Sequence, residues 1–290
     1  MIDRLKMFLV LAREQHFGRA AASLGITQPT LSSAVKALEE QLGVQLVRRG
    51  SRFQGLTPEG ERVLDWARRI VADARTMQAE MEASRRGVSG RLRIGVIPTA
   101  MPRIAELTGP FLRRHENAGV SILSRSSDEI REQIEALELD AGVTYLDSEP
   151  IGRVYSVPFY RETYCLVDRS DDTAPAQWSE AALRPLCLLT PDMQNRRIVT
   201  RHLLAAGAEA MPRVESTSML AILAHVATGA WAAILPRSLA LGLPLPEGVK
   251  ARDLTGEGHM VGLVTAAREP HPPLVEALLR VARSIDNSYQ

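Results

Sequence analysis

The 290-residue chain contains only two cysteines, and neither forms a metal-binding spacing with a histidine. Cys165 and Cys187 lie inside the apolar runs TYCLV and PLCLL. This setting favours buried structural thiols, since reactive thiols usually occupy exposed, electropositive sites. A redox switch is the alternative. We expect no metal and no cofactor.

The chain also lacks a long hydrophobic run. No apolar stretch approaches the roughly 18 residues that span a bilayer. The first segment, MIDRLKMFLVLAREQHF, has charged residues on both sides of a short apolar core. It fits an amphipathic helix better than a signal peptide, which would end in a small-residue cleavage site. We therefore expect a cytoplasmic protein without a membrane partner.

Catalytic signatures are absent from the sequence. None of the six histidines pairs with a neighbouring Cys, Asp or Glu at a metal spacing, and neither GxSxG nor a phosphate-binding glycine loop occurs. The sequence therefore predicts a protein that is not an enzyme.

Charge is small overall but unevenly distributed. The net charge is +1, yet residues 1–56 carry eight basic and four acidic side chains. Residues 57–90 are balanced, so the remaining 200 residues carry a net charge of −3. A basic first segment on an acidic body indicates one nucleic-acid-binding end.

Residues 16–42 read as a short helix, a turn at Gly25 and a longer helix. Thr27 is a suitable N-cap and Pro29 is tolerated in the first turn. Leu31, Val35 and Leu38 recur on one face of the longer helix. This arrangement predicts a helix-turn-helix, whose exposed face enters the major groove of DNA. The predicted DNA-contacting side chains on it are Gln28, Pro29, Thr30, Ser32, Ser33 and Lys36. An ordinary helical hairpin with a solvated polar face is the alternative.

The next segment, GVQLVRRGSRFQGLTPEG, predicts a β-hairpin wing punctuated by glycines. Arg48, Arg49 and Arg52 lie on it, where arginine would meet the backbone or the narrow minor groove. A basic surface loop is the alternative interpretation.

Thr57 and Pro58 begin a long helix that runs to Arg86 without an internal Pro or Gly after Gly60. Apolar residues recur along it at alternating spacings of three and four, which indicates a coiled-coil seam. The predicted seam residues are Val63, Ala67, Ile70, Ala74, Met77 and Met81. We expect a homodimer, and packing of this stripe on its own domain is the alternative.

Beyond the joint at residues 85–90, strands alternate with helices, which predicts a doubly wound α/β module. We divide the chain into a winged helix-turn-helix (1–58), a linker helix and joint (59–90) and an effector domain (91–290). Within the effector domain, lobe I covers about 91–160 and 266–290, and lobe II about 161–265.

The pieces AAASLGITQPTLSSAVKALEEQLGVQL, LTPEG, LRIG and GAWAAILPRS resemble, in this order, the LysR-type transcriptional regulators. The resemblance implies a winged helix-turn-helix, a linker helix and a two-lobed domain similar to periplasmic binding proteins. It also implies dimers or tetramers, a double-stranded DNA operator, a small-molecule effector and contact with RNA polymerase. Many relatives carry an arginine at this position. This chain has Ser33 there instead, and it therefore lacks one strong guanine reader. The stretch RRGSRFQGLTPEG, with DWARRIV, resembles a subgroup found beside formate dehydrogenase operons.

Ligands of open α/β sheets bind beyond the carboxyl ends of the strands, often at helix N-termini. Applied here, this rule predicts a site for a small polar or anionic effector. Its predicted residues are Thr99, Ala100, Ser126, Ser127, Tyr145, Gln194, Asn195 and Thr217. For any one of these hydroxyls, helix capping is an equally good explanation. A constitutive DNA binder without an effector, a solute-binding protein and an enzyme are the alternative functions.

Overall fold

The computed structural model describes residues 1–48, 53–170, 172–209, 211–242 and 245–286. The chain forms two compact units, Met1–Glu82 and Ala83–Gln290. The division between them falls within the predicted linker helix, and Leu64, Ala67 and Val71 of that helix join the hydrophobic core of the first unit. Within the described ranges, no helix has the length and apolar character that a membrane span requires.

The described part of the first unit contains α1 (Ile2–Glu14), α2 (Phe17–Leu24), α3 (Gln28–Leu42) and most of α4 (Pro58–Arg86). The predicted helix-end signals at Gly25 and Thr27 are confirmed, and His16 adds a cap that the sequence did not predict. The Nδ1 atom of His16 accepts the N–H groups of Gly18 and Arg19 at the start of α2. Thr27 caps α3, and Gly25 ends α2 in the left-handed conformation that glycine adopts without strain.

The base of the predicted wing is present as an antiparallel bridge between Val47 and Leu56. Arg49 and Arg52 lie outside the described residues. The wing base contacts the start of α4 closely, since a Cβ atom on Gly60 would overlap the carbonyl oxygen of Leu46. Glycine is therefore required at position 60 by direct contact with the backbone.

The predicted coiled-coil seam is divided between two environments. Ala67 is fully buried in its own unit, and half-buried Val63 and Ile70 pack against the same core. Ala67 is thus unavailable to a partner chain, which corrects its assignment to the dimer seam. Met77 and Met81, by contrast, are 59% and 60% exposed, and Ala74 is half-buried. The dimer itself stays a prediction.

The second unit has two lobes, each built on a five-stranded mixed sheet. The lobe I sheet has the order β2-β1-β3-β10-β4, in which β1 pairs in parallel with β2 and β3, while β10 is antiparallel to β3 and β4. Its strands are β1 (Gly90–Val96), β2 (Ala118–Ser124), β3 (Ala141–Tyr145), β4 (Val154–Glu162) and β10 (His259–Ala266). Its helices are a 3-10 helix (Pro98–Arg103), α5 (Ile104–Arg114), α6 (Ser127–Glu135) and α11 (Pro273–Asp286).

The lobe II sheet has the order β7-β6-β8-β5-β9, with β6 parallel to β7 and β8, and β5 antiparallel to β8 and β9. Its strands are β5 (Tyr164–Asp168), β6 (Leu186–Leu189), β7 (Val214–Ser216), β8 (Ala232–Pro236) and β9 (Lys250–Asp253). Its helices are α7 (Trp178–Ala182), α8 (Gln194–Ala205), α9 (Met219–Ala227) and α10 (Arg237–Gly242).

The two-lobed α/β architecture is confirmed, with one correction to the lobe boundary. We assigned residues up to 265 to lobe II, whereas β10 lies inside the lobe I sheet between β3 and β4. The chain thus returns to lobe I before β10, whose first residue, His259, packs edge-on against Tyr145 of β3. Alternation of strand and helix predicted parallel pairing, and it did not reveal that β10 and β5 run antiparallel to their neighbours.

Candidate DNA interface and effector cleft

The polar face of α3 is fully accessible in its own unit. Leu31, Val35 and Leu38 are buried and fix the orientation of the helix. All of the predicted DNA-contacting residues on α3 are exposed, namely Gln28, Pro29, Thr30, Ser32, Ser33 and Lys36. This arrangement offers amide, hydroxyl and ammonium groups of the kinds that contact base edges and phosphates.

A carboxylate that the sequence analysis missed holds the wing base against α3. The Oε1 atom of Glu39 accepts the N–H groups of Leu46 at 2.7 Å and Val47 at 3.1 Å. At the same place, the Nε atom of exposed Arg48 donates to the carbonyl oxygen of Leu56 at 3.1 Å. The last turns of α3 therefore position the base of the wing.

The second unit contains a cleft at the strand ends where the sequence predicted an effector site. Six of the eight predicted residues line it, contributed by the 3-10 helix, α6, β3 and α8. The lining residues are Ile97, Pro98, Thr99, Ser126, Ser127, Tyr145, Leu189, Met193, Gln194 and Asn195. Because both lobes contribute, a ligand in this cleft would contact lobe I and lobe II together.

Two of the predicted residues do not line the cleft. Ala100 is fully buried and belongs to the hydrophobic core. Thr217 is exposed and follows β7, which is the edge strand of the lobe II sheet. The cleft instead takes its lobe II residues from the end of β6 and the start of α8, so the turn after β7 lies one strand too far away.

The starts of two helices give the cleft its polarity. Ser126 and Glu129 form a reciprocal cap at the start of α6. The start of α8 has no side-chain cap, so its first N–H groups depend on other partners. Ser127 accepts a hydrogen bond from Thr144 at 3.0 Å, which leaves its own hydroxyl proton available. These groups favour a polar or anionic ligand atom.

Behind the cleft lies a buried carboxylate, Glu162, which is 1% exposed. The hydroxyl of Tyr145 donates to Glu162, and the hydroxyl of Tyr160 donates to its second oxygen at 3.3 Å. Asn195 of lobe II in turn donates to the hydroxyl of Tyr145 at 3.1 Å. Thr99 lies 3.4 Å from the same hydroxyl. This network connects the cleft residues of both lobes to one carboxyl group.

Burial raises the pKa of Glu162 to about 7, although hydrogen bonds from the surrounding hydroxyls oppose the shift. Burial likewise raises the pKa of Tyr145 well above its ordinary value. The Arg103 guanidinium lies 4.0 Å above the ring of Tyr160, and the ring of His259 meets that of Tyr145 edge-on. Burial therefore moves the titration of Glu162 from its ordinary acidic range toward neutral pH.

Our sequence analysis did not single out Glu162, yet the sequence carries a signal for it. In the segment FYRETYCLV, Tyr160, Glu162 and Tyr164 are spaced by two, so in extended chain they share one face. An acidic residue between two tyrosines on the buried face of a strand indicates a hydrogen-bonded carboxyl group. The two histidines nearby, His202 and His259, with rings 5.8 Å apart, are likewise absent from the predicted site.

The two cysteines are confirmed as buried. Cys165 on β5 and Cys187 on β6 have no measurable exposure, and both are free thiols. Burial raises the pKa of Cys165 to about 12 and that of Cys187 to about 11. Both side chains belong to the hydrophobic core of lobe II.

Comparison with protein families identifies both units. Residues 2–61 match the bacterial regulatory helix-turn-helix protein family of lysR type, and residues 85–285 match the LysR substrate binding domain. The second match alone covers more than half of the chain.

Individual relatives agree with these matches. The transcriptional regulator XapR of Escherichia coli K12 is 42% identical over 149 residues, which cover 50% of this chain and 50% of XapR. The match thus spans about half the length of that relative. The hydrogen peroxide-inducible genes activator of Haemophilus influenzae is 27% identical over 255 residues, which cover 86% of this chain and 84% of that protein.

Solved structures extend the similarity to the whole chain. A full-length, singly substituted OxyR from Pseudomonas aeruginosa matches with a TM-score of 0.77 and 26% identity, covering 98% of this chain and 94% of that one. Full-length CbnR in complex with its target DNA matches with a TM-score of 0.64 and 24% identity, covering 98% and 99% of the two chains, which shows a shared fold. The chain belongs to the LysR family of DNA-binding transcriptional regulators, with an N-terminal helix-turn-helix and a C-terminal effector-binding domain.

Proposed function

We propose that this regulator changes its contacts with DNA when a small polar or anionic effector binds in the cleft. The observation that carries the proposal is the convergence of Thr99, Ser127, Tyr145 and Asn195 on one cavity from both lobes. A ligand that contacts both lobes changes the balance between their arrangements in proportion to its differential affinity for them. In a dimer or tetramer, such a change alters half-site spacing on the double-stranded operator.

The chemistry of the cleft favours hydrogen-bond acceptors on the ligand. The starts of α6 and α8 supply N–H groups, and Ser127 supplies a hydroxyl proton. No Lys or Arg is among the described residues that line the cleft. The ligand group is therefore bound by neutral donors and helix ends, which suits a single carboxylate or a polar uncharged group better than a polyanion.

We propose further that cysteine oxidation does not control this protein, although several relatives are named for hydrogen peroxide-inducible genes. Peroxide reacts with thiolates, and burial holds the pKa of Cys165 and Cys187 far above neutral pH. Their thiols therefore stay protonated inside the lobe II core.

Footprinting of the full-length protein on its own promoter tests effector control. A small-molecule extract of bacterial cells should change the wild-type footprint and leave that of Thr99→Val/Ser127→Ala unchanged. The control variant Thr173→Val/Ser179→Ala alters two exposed residues outside the cleft and should respond like the wild type. An identical footprint with and without extract, or a full response from the cleft variant, would contradict the proposal.

Treatment with hydrogen peroxide on the same promoter tests whether oxidation of Cys165 and Cys187 controls DNA binding. The wild-type footprint should not change with peroxide, and Cys165→Ala/Cys187→Ala should give the same pattern. A peroxide-dependent footprint that the double variant loses would show that these thiols are sensors. Run-off transcription with RNA polymerase in the same reactions measures whether the effector activates or represses.

A further inference from the structure

The chain passes twice between the lobes of the effector domain, and both crossings meet at Glu162. The first crossing is Thr163, between β4 of lobe I and β5 of lobe II. The second crossing is the segment 254–258, between β9 of lobe II and β10 of lobe I. Glu162 is the last residue of β4 and pairs with His259, the first residue of β10. A change in the arrangement of the lobes therefore alters the backbone next to Glu162.

The two crossings are in direct contact at this point. A Cβ atom on Gly258 would lie 2.5 Å from the carbonyl oxygen of Glu162, so the two backbones touch. The Nη1 atom of Arg161 donates to the carbonyl oxygen of Gly258 at 2.6 Å. The backbone N–H of Leu254 donates to the carbonyl oxygen of Tyr164 at 2.9 Å. These contacts hold the backbone of Glu162 between the lobes.

The carboxyl group of Glu162 is enclosed by side chains from both lobes. Tyr145 and Tyr160 of lobe I donate to it, and Asn195 of lobe II donates to the Tyr145 hydroxyl at 3.1 Å. The Tyr164 side chain, at the start of β5 in lobe II, is buried beside it. Because lobe II supplies part of this cover, separation of the lobes at the crossings would admit water to the carboxyl group.

No cation offsets the charge of the Glu162 carboxylate. Among the residues whose positions the structure describes, no Lys, Arg or His forms an ion pair with it. Arg103 is engaged by Glu106 at 2.6 Å, and His259 lies 3.3 Å from Asp147. Burial therefore disfavours the charged form and raises the pKa of Glu162 toward neutral pH. The titratable and charged groups around the carboxyl group are Tyr145, Tyr160, Tyr164, Arg103, Glu106, Asp147, His202 and His259.

We propose that the lobes respond to pH through Glu162. The neutral carboxyl group favours the closed arrangement seen in this structure, whereas loss of its proton to water favours an arrangement in which the lobes separate at the crossings and the carboxylate is hydrated. The proton is thus a second input to the effector domain, and it acts without a ligand in the cleft.

The direction of the response follows from proton linkage. Hydration of Glu162 in the separated arrangement returns its pKa toward the ordinary 4.5, whereas burial in the closed arrangement raises it to about 7. The separated arrangement binds fewer protons between these values, so its population should rise with pH, by at most about tenfold per pH unit. Burial lowers the pKa of His202, so protonation of that ring at acidic pH acts in the opposite direction.

Fluorescence energy transfer between the lobes of the full-length protein tests this proposal. Glu138 of lobe I and Ala205 of lobe II are exposed, and each is replaced by cysteine and labelled with a pH-insensitive dye. The native thiols, Cys165 and Cys187, are buried and stay unlabelled. A small share of labelled chains among unlabelled ones restricts the transfer to dyes on one chain.

Without ligand, the transfer efficiency should change as pH rises from 5 to 8. Glu162→Gln, which is uncharged throughout, should lose this change and keep only the opposite contribution of His202. Glu132→Gln removes an exposed carboxylate of lobe I and should respond like the protein without this substitution.

Tyr160→Phe gives a second test that keeps the carboxyl group. It removes a hydrogen bond that favours the carboxylate, so the pKa of Glu162 rises further and the change in transfer should move to higher pH. Tyr155→Phe makes the same replacement on the same strand, at a hydroxyl that contacts Arg283, and should not move it. The proposal would be overturned by a transfer efficiency that does not depend on pH, by an undiminished change in Glu162→Gln, or by coincident pH profiles for the two tyrosine variants.

Discussion

The DNA-reading face of α3 and the effector cleft present polar groups in opposite ways. On α3, nine consecutive residues from Gln28 to Lys36 supply the whole face, and the groups predicted to contact DNA are exposed. In the cleft, the polar groups come from segments spread between Thr99 and Asn195, and most are buried and bonded to one another. The first surface is open to a large, rigid partner, and the second has most of its polar groups already engaged in hydrogen bonds with one another.

This difference implies different consequences of mutation. A side chain on α3 acts alone, so its replacement should change DNA binding and little else. A side chain in the cleft shares its partners, so its replacement also changes the stability of the lobes. The following experiments test that contrast, beginning with the largest expected effect.

Gly60→Ala should destroy the DNA-binding unit while the effector unit stays folded. The added Cβ atom would overlap the carbonyl oxygen of Leu46, a contact that only backbone movement can relieve. We expect a loss of about 3 kcal/mol or more in the stability of residues 1–82. Calorimetry should show the early unfolding of one unit, and operator binding should be lost.

The matched control is Gly109→Ala in α5, where the nearest heavy atom is the flexible end of Arg113 at 3.4 Å. It should leave DNA binding intact. If Gly60→Ala instead lowered the stability of both units equally, the DNA-binding unit and the effector unit would not unfold independently. The expected difference between the two units would then be wrong.

Glu162→Gln should remove a pH dependence of stability that originates behind the cleft. Because the pKa of Glu162 rises from its ordinary 4.5 to about 7 on folding, the folded protein binds more protons than the unfolded one between these values. The wild-type free energy of unfolding therefore falls as pH rises from about 4.5 to about 7, by about 3 kcal/mol at most. The glutamine, which is uncharged throughout, should not show this loss.

Urea unfolding of both proteins at pH 5 and pH 8 measures this effect. Burial lowers the pKa of His202 and so contributes a slope of opposite sign. We therefore compare the two proteins by the difference between their free energies of unfolding at each pH. The contributions of the histidines are the same in both proteins and cancel in this difference. Glu132→Gln, at an exposed position, should behave as the wild type. If the free energy of unfolding depended on pH equally in Glu162→Gln and wild type, the Glu162 carboxyl would not be buried as the structure indicates.

The α3 face was easier to predict from the sequence than the cleft, because one continuous helix supplies it whereas distant segments supply the cleft. The α3 face depends on local periodicity, so the spacing of Leu31, Val35 and Leu38 was sufficient to place Gln28 and Lys36 on the opposite side. Ala67 was misplaced because a heptad pattern does not tell whether a stripe faces a partner or its own domain. The dependence of the wing on Glu39 is a contact with backbone N–H groups, which carry no sequence signal.

In the cleft, the rule that ligands bind at strand ends correctly placed Thr99, Ser126 and Tyr145 together. It included Thr217 because strand order within lobe II is not encoded in local pattern, and β7 is an edge strand. Glu162 was missed for a related reason, since its partners Tyr145 and Asn195 come from β3 and α8, far away in sequence.

Gln28→Ala should relax operator specificity without changing stability. The Gln28 side chain is exposed at the start of α3, where a glutamine reads adenine by paired hydrogen bonds. We expect discrimination at one base pair of each half-site to weaken by about 1–3 kcal/mol of binding free energy, with no change at the other base pairs. Selection of randomised operators with both proteins measures this change. Gln41→Ala, at the other end of α3, is the control, and an equal loss with that variant would contradict the assignment.

Lys36→Ala should give the smallest loss of DNA affinity. Unlike the loss for Gln28→Ala, this loss should be the same on every DNA sequence. The Lys36 ammonium is exposed and pairs loosely with Glu40 at 3.7 Å, so its removal costs little stability. If Lys36 neutralises one phosphate, affinity should fall by a similar factor on every sequence, and the slope of log affinity against log salt should decrease by about one. Lys6→Ala removes an equal charge from α1 and should keep the wild-type slope. Because Gln28 and Lys36 share one helix face, a sequence-dependent loss for Lys36→Ala would show that the reading face extends further along α3 than its first two turns.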